Sequence, residues 1–255
     1  MSDAPPRALV LEFERHGFAT WPALETESLG GWQLRFADGH TGRSNSVQPL
    51  DFVGSGDVEA QIDECEGRYR ARGLPPRFKL TELACPSDLD ERLAARGYAR
   101  VAATRVRSLE FATDGMPLEA DSRVQITVST SQQWLELSAR LNSIPASERS
   151  ARDRMLGRIE RPLYAFGGRR DRHQAVGLGA LNDGWLFLGS IAVAKPARRA
   201  GLGRAVTATL MAHARGTGAR GAWLQVTEDN VSALALYERI GFRDRYGYWY
   251  RVAQA

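Results

Sequence analysis

The sequence predicts an α/β chain built from two similar halves, and three observations carry that prediction. Segments with strand-like alternation and segments with helical spacing follow one another along the chain. A helix that ends on a glycine followed by an aromatic residue occurs twice, at Gly97-Tyr98 and at Gly241-Phe242. In the second half, "GSIAVAKPARRAGLGRAV" passes from an apolar strand through arginines and glycines straight into a helix. Such a turn leaves several backbone N–H groups without helical partners at the positive end of the helix dipole, so it favours an anion.

Taken in order, "PRALVLEFERHGF" has helical spacing, and "GGWQLRFADG" and "RSNSVQPL" read as paired strands. "DVEAQIDECEGRYRARG" reads as an amphipathic helix and "PPRFKLTE" as a strand. "SDLDERLAARGY" is a short helix ended by Gly97, and "ARVAATRVRSLEF" is a strand. Gly, Pro and three acids mark "FATDGMPLEADS" as a linker, dividing the chain into residues 1–112 and 121–255.

The second half opens with the strand "RVQITVST", then the helix "SQQWLELSARLN", whose Trp134, Leu137 and Leu141 share one face. Pro145 ends it, and "ASERSARDRMLGRIE" reads as a second helix. "RPLYAFGG", "QAVGLGAL" and "WLFLGSIAV" are strands, with a hairpin signal at "NDG". After the helix of the opening motif come the strand "GAWLQV", the helix "NVSALALYERIGF" and the aromatic strand "YGYWYRV". The order is β-α-α-β-β-β-α-β-α-β. In the first half, strand, helix, strand, helix-Gly-aromatic and strand repeat the end of this series, which reads as an internal duplication.

Composition limits the function. The chain has 255 residues, 43% hydrophobic and 25% charged, ordinary values for a globular protein. The N-terminus has acids and arginine where a signal peptide needs an apolar run, and no segment approaches membrane-spanning length. Cys65 and Cys85 lack metal or redox spacing, which fits the cytoplasm and predicts no disulfide. Four scattered histidines offer no basis for a metal site. The net charge is +4, carried almost wholly by arginine with acids interleaved, which reads as solvated surface rather than a nucleic-acid patch.

Residues 121–255 resemble the GNAT superfamily of N-acetyltransferases. The family's pyrophosphate loop, Q/R-x-x-G-x-G/A at a strand-to-helix junction, is matched by Arg198, Gly201 and Gly203. Its second signature is matched by Asn230, Tyr237, Gly241 and Phe242. The resemblance implies tandem GNAT-like folds, each a mixed, mostly antiparallel twisted sheet flanked by helices, and an acetyl-CoA-dependent N-acetyltransferase without a metal. It implies that the N–H groups of Arg199, Ala200, Gly201, Leu202, Gly203 and Arg204 cradle the cofactor's pyrophosphate. Pantetheine would pair with the backbone of Ile191, Ala192 and Val193, and Asn230 would bond the cofactor where "GAWLQV" splays away. Tyr237 takes the place of a phenol that protonates the leaving thiolate. Glycine suits positions 201 and 203 because a Cβ there would hold the phosphate off the backbone. A dinucleotide fold fits worse, since Val206 stands where its third small residue belongs and no acid follows.

The first copy is expected to have lost the chemistry. Leu93 falls at the place of Tyr237, and "DFVGSGDVEA" puts Asp51, Asp57 and Glu59 where the phosphate loop belongs. That leaves a structural or acceptor-binding role, with "TGRSN" either presenting Arg43 and Asn45 to a polar acceptor or forming a solvated turn that holds the first sheet together. The sequence departs from the family in having no acid on "WLFLGSIAV"; Glu228 and Asp229 are the nearest candidate bases. Two readings stay open: acetyl transfer to the primary amine of a small molecule or peptide, or a non-catalytic acyl-CoA-binding sensor module.

Overall fold

The computed structural model describes residues 5–50, 57–111, 119–169 and 172–254. Most of the expected linker, and Asp51 of the loop expected in a first copy, lie outside them. The fold is mixed α/β, and the chain forms two compact units.

Unit 1 comprises Met1–Arg105, Ser150–Leu156 and Tyr246–Ala255. It holds helices α1 (Arg7–Thr20), α2 (Val58–Ala71) and α3 (Leu89–Ala95). Its strands are β1 (Glu25–Leu29), β2 (Trp32–Phe36), β3 (Val47–Gln48), β4 (Arg77–Thr81), the start of β5 (Ala99–Glu110) and the end of β11 (Arg243–Val252). Their order is β1-β2-β3-β4-β11-β5. The core is formed by Trp32, Leu34, Phe36, Ile62, Tyr69, Phe78, Leu80, Leu93 and their neighbours. Two details differ from the pattern reading. β1, "ETESL", was not foreseen, because its charged residues hide the alternation; Glu27 pairs with Arg68 and Arg72 instead. "RSNSVQPL" forms a single helical turn and only two residues of strand, because its polar side chains bind its own backbone.

A polar layer is buried in unit 1. Lys79 Nζ lies 2.6 and 2.5 Å from the Glu14 carboxylate oxygens, and Tyr246 donates to Glu14 at 2.8 Å. Burial pulls the Lys79 ammonium below its ordinary range while Glu14 opposes the shift.

Unit 2 comprises Val106–Arg149 and Gly157–Arg245. It contains β6 (Val124–Thr127), α4 (Gln132–Leu141), the start of α5 (Ala146–Leu156), β7 (Pro162–Arg169) and β8 (Arg172–Asn182). β9 (Trp185–Val193), α6 (Leu202–Gly216), β10 (Gly221–Thr227) and α7 (Val231–Ile240) follow. The strand order is β5-β10-β9-β8-β7-β6. β6 to β9 are antiparallel, and β10 joins β9 in parallel, as its helical crossover requires. Helix α6 packs Val206 and Leu210 against Gly177 and Gly179 of β8, where a Cβ would meet them at 2.5–3.3 Å. Small residues there let helix and sheet approach closely.

Both Gly-aromatic helix ends have the same geometry. Gly97 (φ +82°) and Gly241 (φ +109°) are left-handed. Tyr98 N–H returns to the Leu93 carbonyl and Phe242 N–H to that of Tyr237.

Candidate active site

The site is built where β9 and β10 part. Their parallel pairing runs from Gly221↔Trp185 to Leu224↔Leu188 and stops there. The last five residues of β9 are only half-buried, whereas its first four are buried. The other edge of β9 stays bound to β8, through Val193↔Ala175 and Ala192↔Val176, with a bulge opposite Gly177. Ser190 sits in that bulge at φ +49°, a conformation an L-residue adopts only under constraint. Asn142, just past the end of α4, donates from Nδ2 to the Ser190 carbonyl at 3.4 Å. Residues 191–193 therefore offer a strand edge without a β10 partner.

β9 leads into the loop that starts α6. After a 3-10 turn at Lys195–Ala197, Arg199 (φ +63°) and Gly201 (φ +78°) both turn left-handed. Among the described residues, the N–H groups of residues 199–204 have no carbonyl acceptor. The helix has no side-chain cap and no acid in its first turn, so nothing of its own neutralises the dipole. An anion placed there gains up to about 2 kcal/mol from the helix terminus. At Gly203 a Cβ would find Leu236 and Val193 at 3.6 and 3.7 Å, ordinary contact distances. Packing does not demand glycine at that position, whereas a ligand laid against the backbone would. Arg123 braces the loop by donating to the Ala200 carbonyl at 3.1 Å and pairing with Asp121 at 2.7 Å. That pair pulls the Asp121 carboxyl down to about 2. No local signal in the sequence points to Arg123, which lies 77 residues from its partner.

By contrast, α2 of unit 1 starts on its own acids. Asp57 caps it by accepting from the Glu59 N–H at 2.9 Å, and Glu59 is held by Arg92 and Arg96, which keep its carboxyl low.

Asn230 is the N-cap of α7, its Oδ1 accepting from the Ala233 N–H at 3.2 Å. That leaves the Nδ2 donors of this exposed side chain without a partner among the described residues. Tyr237, one turn before the end of α7, is 8% exposed and packs edge-on against Phe242 with the ring centroids 5.7 Å apart. Its hydroxyl has no hydrogen-bond partner among the described residues, and burial pushes its pKa up to about 12. Leu93 of α3 is fully buried. Glu228 and Asp229 are exposed just past β10.

The structure gives Asn45 a different role from the acceptor contact read from the sequence. Its Oδ1 accepts from the N–H groups of Ala37 and Gly39, and its Nδ2 donates to the carbonyls of His40 and Thr41, all at 2.7–3.0 Å. All of its hydrogen-bonding capacity holds its own loop. Arg43 stacks over the Trp21 ring at 4.4 Å.

Comparison with known proteins bears on the family and the fold. The family model "Probable histone acetyltransferase Rv0428c C-terminal" matches residues 9–251. "Uncharacterized N-acetyltransferase YobR" of Bacillus subtilis (strain 168) is 28% identical over 249 residues, covering 95% of this chain and 98% of that protein. "Probable histone acetyltransferase Rv0428c" of Mycobacterium tuberculosis is 27% identical over 264 residues, covering 100% of this chain and 78% of its own length. Among solved structures, a GCN5-related N-acetyltransferase from Kribbella flavida superposes with a TM-score of 0.70 at 18% identity, covering 95% of both chains. A tandem GNAT protein from the clavulanic acid biosynthesis pathway gives 0.63 at 16% identity, covering 95% of this chain and 88% of that one. At such identities the structures attest the fold alone. The family match spans nearly the whole sequence, and the chain belongs to the Rv0428c C-terminal family of acetyltransferases, with the fold of the GCN5-related N-acetyltransferases.

Proposed function

We propose that this N-acetyltransferase takes its acetyl group from acetyl-CoA and passes it by direct attack to a primary amine. One observation carries the reading: a row of unpartnered N–H groups at residues 199–204 lies at the end of a strand edge that β10 leaves open. The loop and the start of α6 hold the pyrophosphate. Residues 191–193 pair with pantetheine, and Asn230 Nδ2 reaches it from the start of α7. The donor supplies a thioester whose carbonyl carbon the amine attacks. A backbone N–H of residues 191–193 stabilises the developing oxyanion. As the C–S bond breaks, Tyr237 gives its proton to the sulfur, a task that suits a phenol still protonated at neutral pH. The amine's surplus proton leaves through water, since β9 carries no acid. Proximity and orientation supply most of the acceleration.

The same reading assigns residues 121–255 to catalysis and residues 1–112 to a degenerate copy without a cofactor site. The twin Gly-aromatic caps support a duplication, and the acids at the start of α2 would repel a pyrophosphate. The free thiols of Cys65 and Cys85 suit the reducing cytoplasm.

Thiol release from acetyl-CoA over a panel of amines tests the reaction, and a Gly203→Glu variant tests the site. The variant places a carboxylate in the cradle without a packing clash. Calorimetric binding of acetyl-CoA should vanish while the thermal transition is kept. The missing strand acid favours the sensor module as the alternative, and tight binding without amine-dependent release would establish it instead.

A further inference from the structure

Helix α4 turns one stripe of side chains, Gln133, Glu136, Leu137 and Arg140, toward a cleft of about 830 Å³. Residues 143–146 and Arg149, in the first turn of α5, form the opposite wall. Both arginines are exposed and poorly committed. The Arg140 guanidinium has no ion pair or hydrogen bond with any described residue. Arg149 uses only Nε, on the Ile144 carbonyl at 3.4 Å. Several other arginines are engaged with carboxylates, as Arg68, Arg92, Arg96 and Arg251 are. Two guanidinium forks left open beside the apolar Leu137 and Ile144 suit a carboxylate on an aliphatic stem.

The cleft also adjoins the proposed chemistry. Asn142, two residues beyond Arg140, binds the Ser190 carbonyl in the β9 bulge. Two residues amount to about 200° around a helix and about 3 Å along it. A carboxylate held by Arg140 is thus turned away from Ser190, and an amine near the bulge must be joined to it by a chain of several atoms. Glu136, one turn further from the bulge, accepts from Gln132 and repels a carboxylate that slides along the groove.

We infer that the acceptor is an amine bearing a remote carboxylate, which Arg140 and Arg149 grip in the α4–α5 cleft. The inference rests on the acetyl-transfer reading, and the test separates the two. The full chain is titrated calorimetrically with ω-amino carboxylates of three to eight carbons, each against its own primary amide, and the same compounds are assayed for thiol release from acetyl-CoA. The best acid should bind about tenfold more tightly than its amide, the gain expected of charge-assisted pairing. Arg140→Gln and Arg149→Gln should each bring that preference close to unity, with the Michaelis constant for acetyl-CoA unchanged. Equal binding of acid and amide, no binding of any probe, or a preference that survives both substitutions would overturn the inference. Preferential binding without thiol release would instead count against acetyl transfer and leave the anion-gripping cleft standing.

Discussion

Tyr237 shows how one side chain is tuned by its surroundings. Burial among apolar neighbours holds its pKa near 12, and the ring is fixed edge-on against Phe242. Tyr237→Phe keeps the packing and removes only the proton donor. The expected result is a fall in kcat of about 10²–10⁴-fold with little change in acetyl-CoA affinity. An unchanged rate would return the residue to the core. The pH dependence follows in sign. From about pH 10 to about pH 12 the unfolded chain releases this proton and the folded chain keeps it. Its contribution therefore lowers stability with rising pH in that window, by about 1.4 kcal/mol per unit, and the phenylalanine variant should lack that share. A comparison of denaturant midpoints across alkaline pH reads it directly.

At the level of elements, periodicity carried the reading far. "WLFLGSIAV" and "SQQWLELSARLN" became β9 and α4 because apolar spacing and Pro145 leave few alternatives. The phosphate-type loop was legible because glycine and arginine placement encodes backbone geometry locally. What stayed hidden depends on distant partners. The Arg123 brace, the Asn142–Ser190 bond and the point where β10 leaves β9 are tertiary facts that no single segment records. "TGRSN" leaves an acceptor contact and a self-holding turn equally open in the sequence, and Asn45 is bonded to its own loop. Four buried or partly buried bonds to Asn45 make Asn45→Ala a stability lesion, about 2–3 kcal/mol by chemical denaturation. Acceptor KM in the surviving folded fraction should stay unchanged, and a selective rise in KM would reinstate the acceptor contact.

For the whole molecule, the two compact units do not divide the sequence at one point. The end of β5 belongs to unit 2, where Phe111 N–H donates to the Arg220 carbonyl at 2.9 Å and Leu109 joins the core. A fragment of residues 121–255 therefore lacks the strand that flanks β10. It should be expressed insoluble or molten. Solubility and near-UV circular dichroism check this; a well-folded, active 121–255 fragment would show that the boundary strand is dispensable. Unit 1 has the reciprocal dependence. Residues 248–252 pair with β4, from Tyr248↔Thr81 to Val252↔Arg77, and Tyr246 supplies its hydroxyl to Glu14. This imposes an order on synthesis at the ribosome. The first unit is translated almost completely and then waits, with one side of β4 open, until residues 248–252 emerge. During that interval the nascent protein is a client for chaperones and proteases, and a message cut short after Arg245 would yield a chain that never leaves that state.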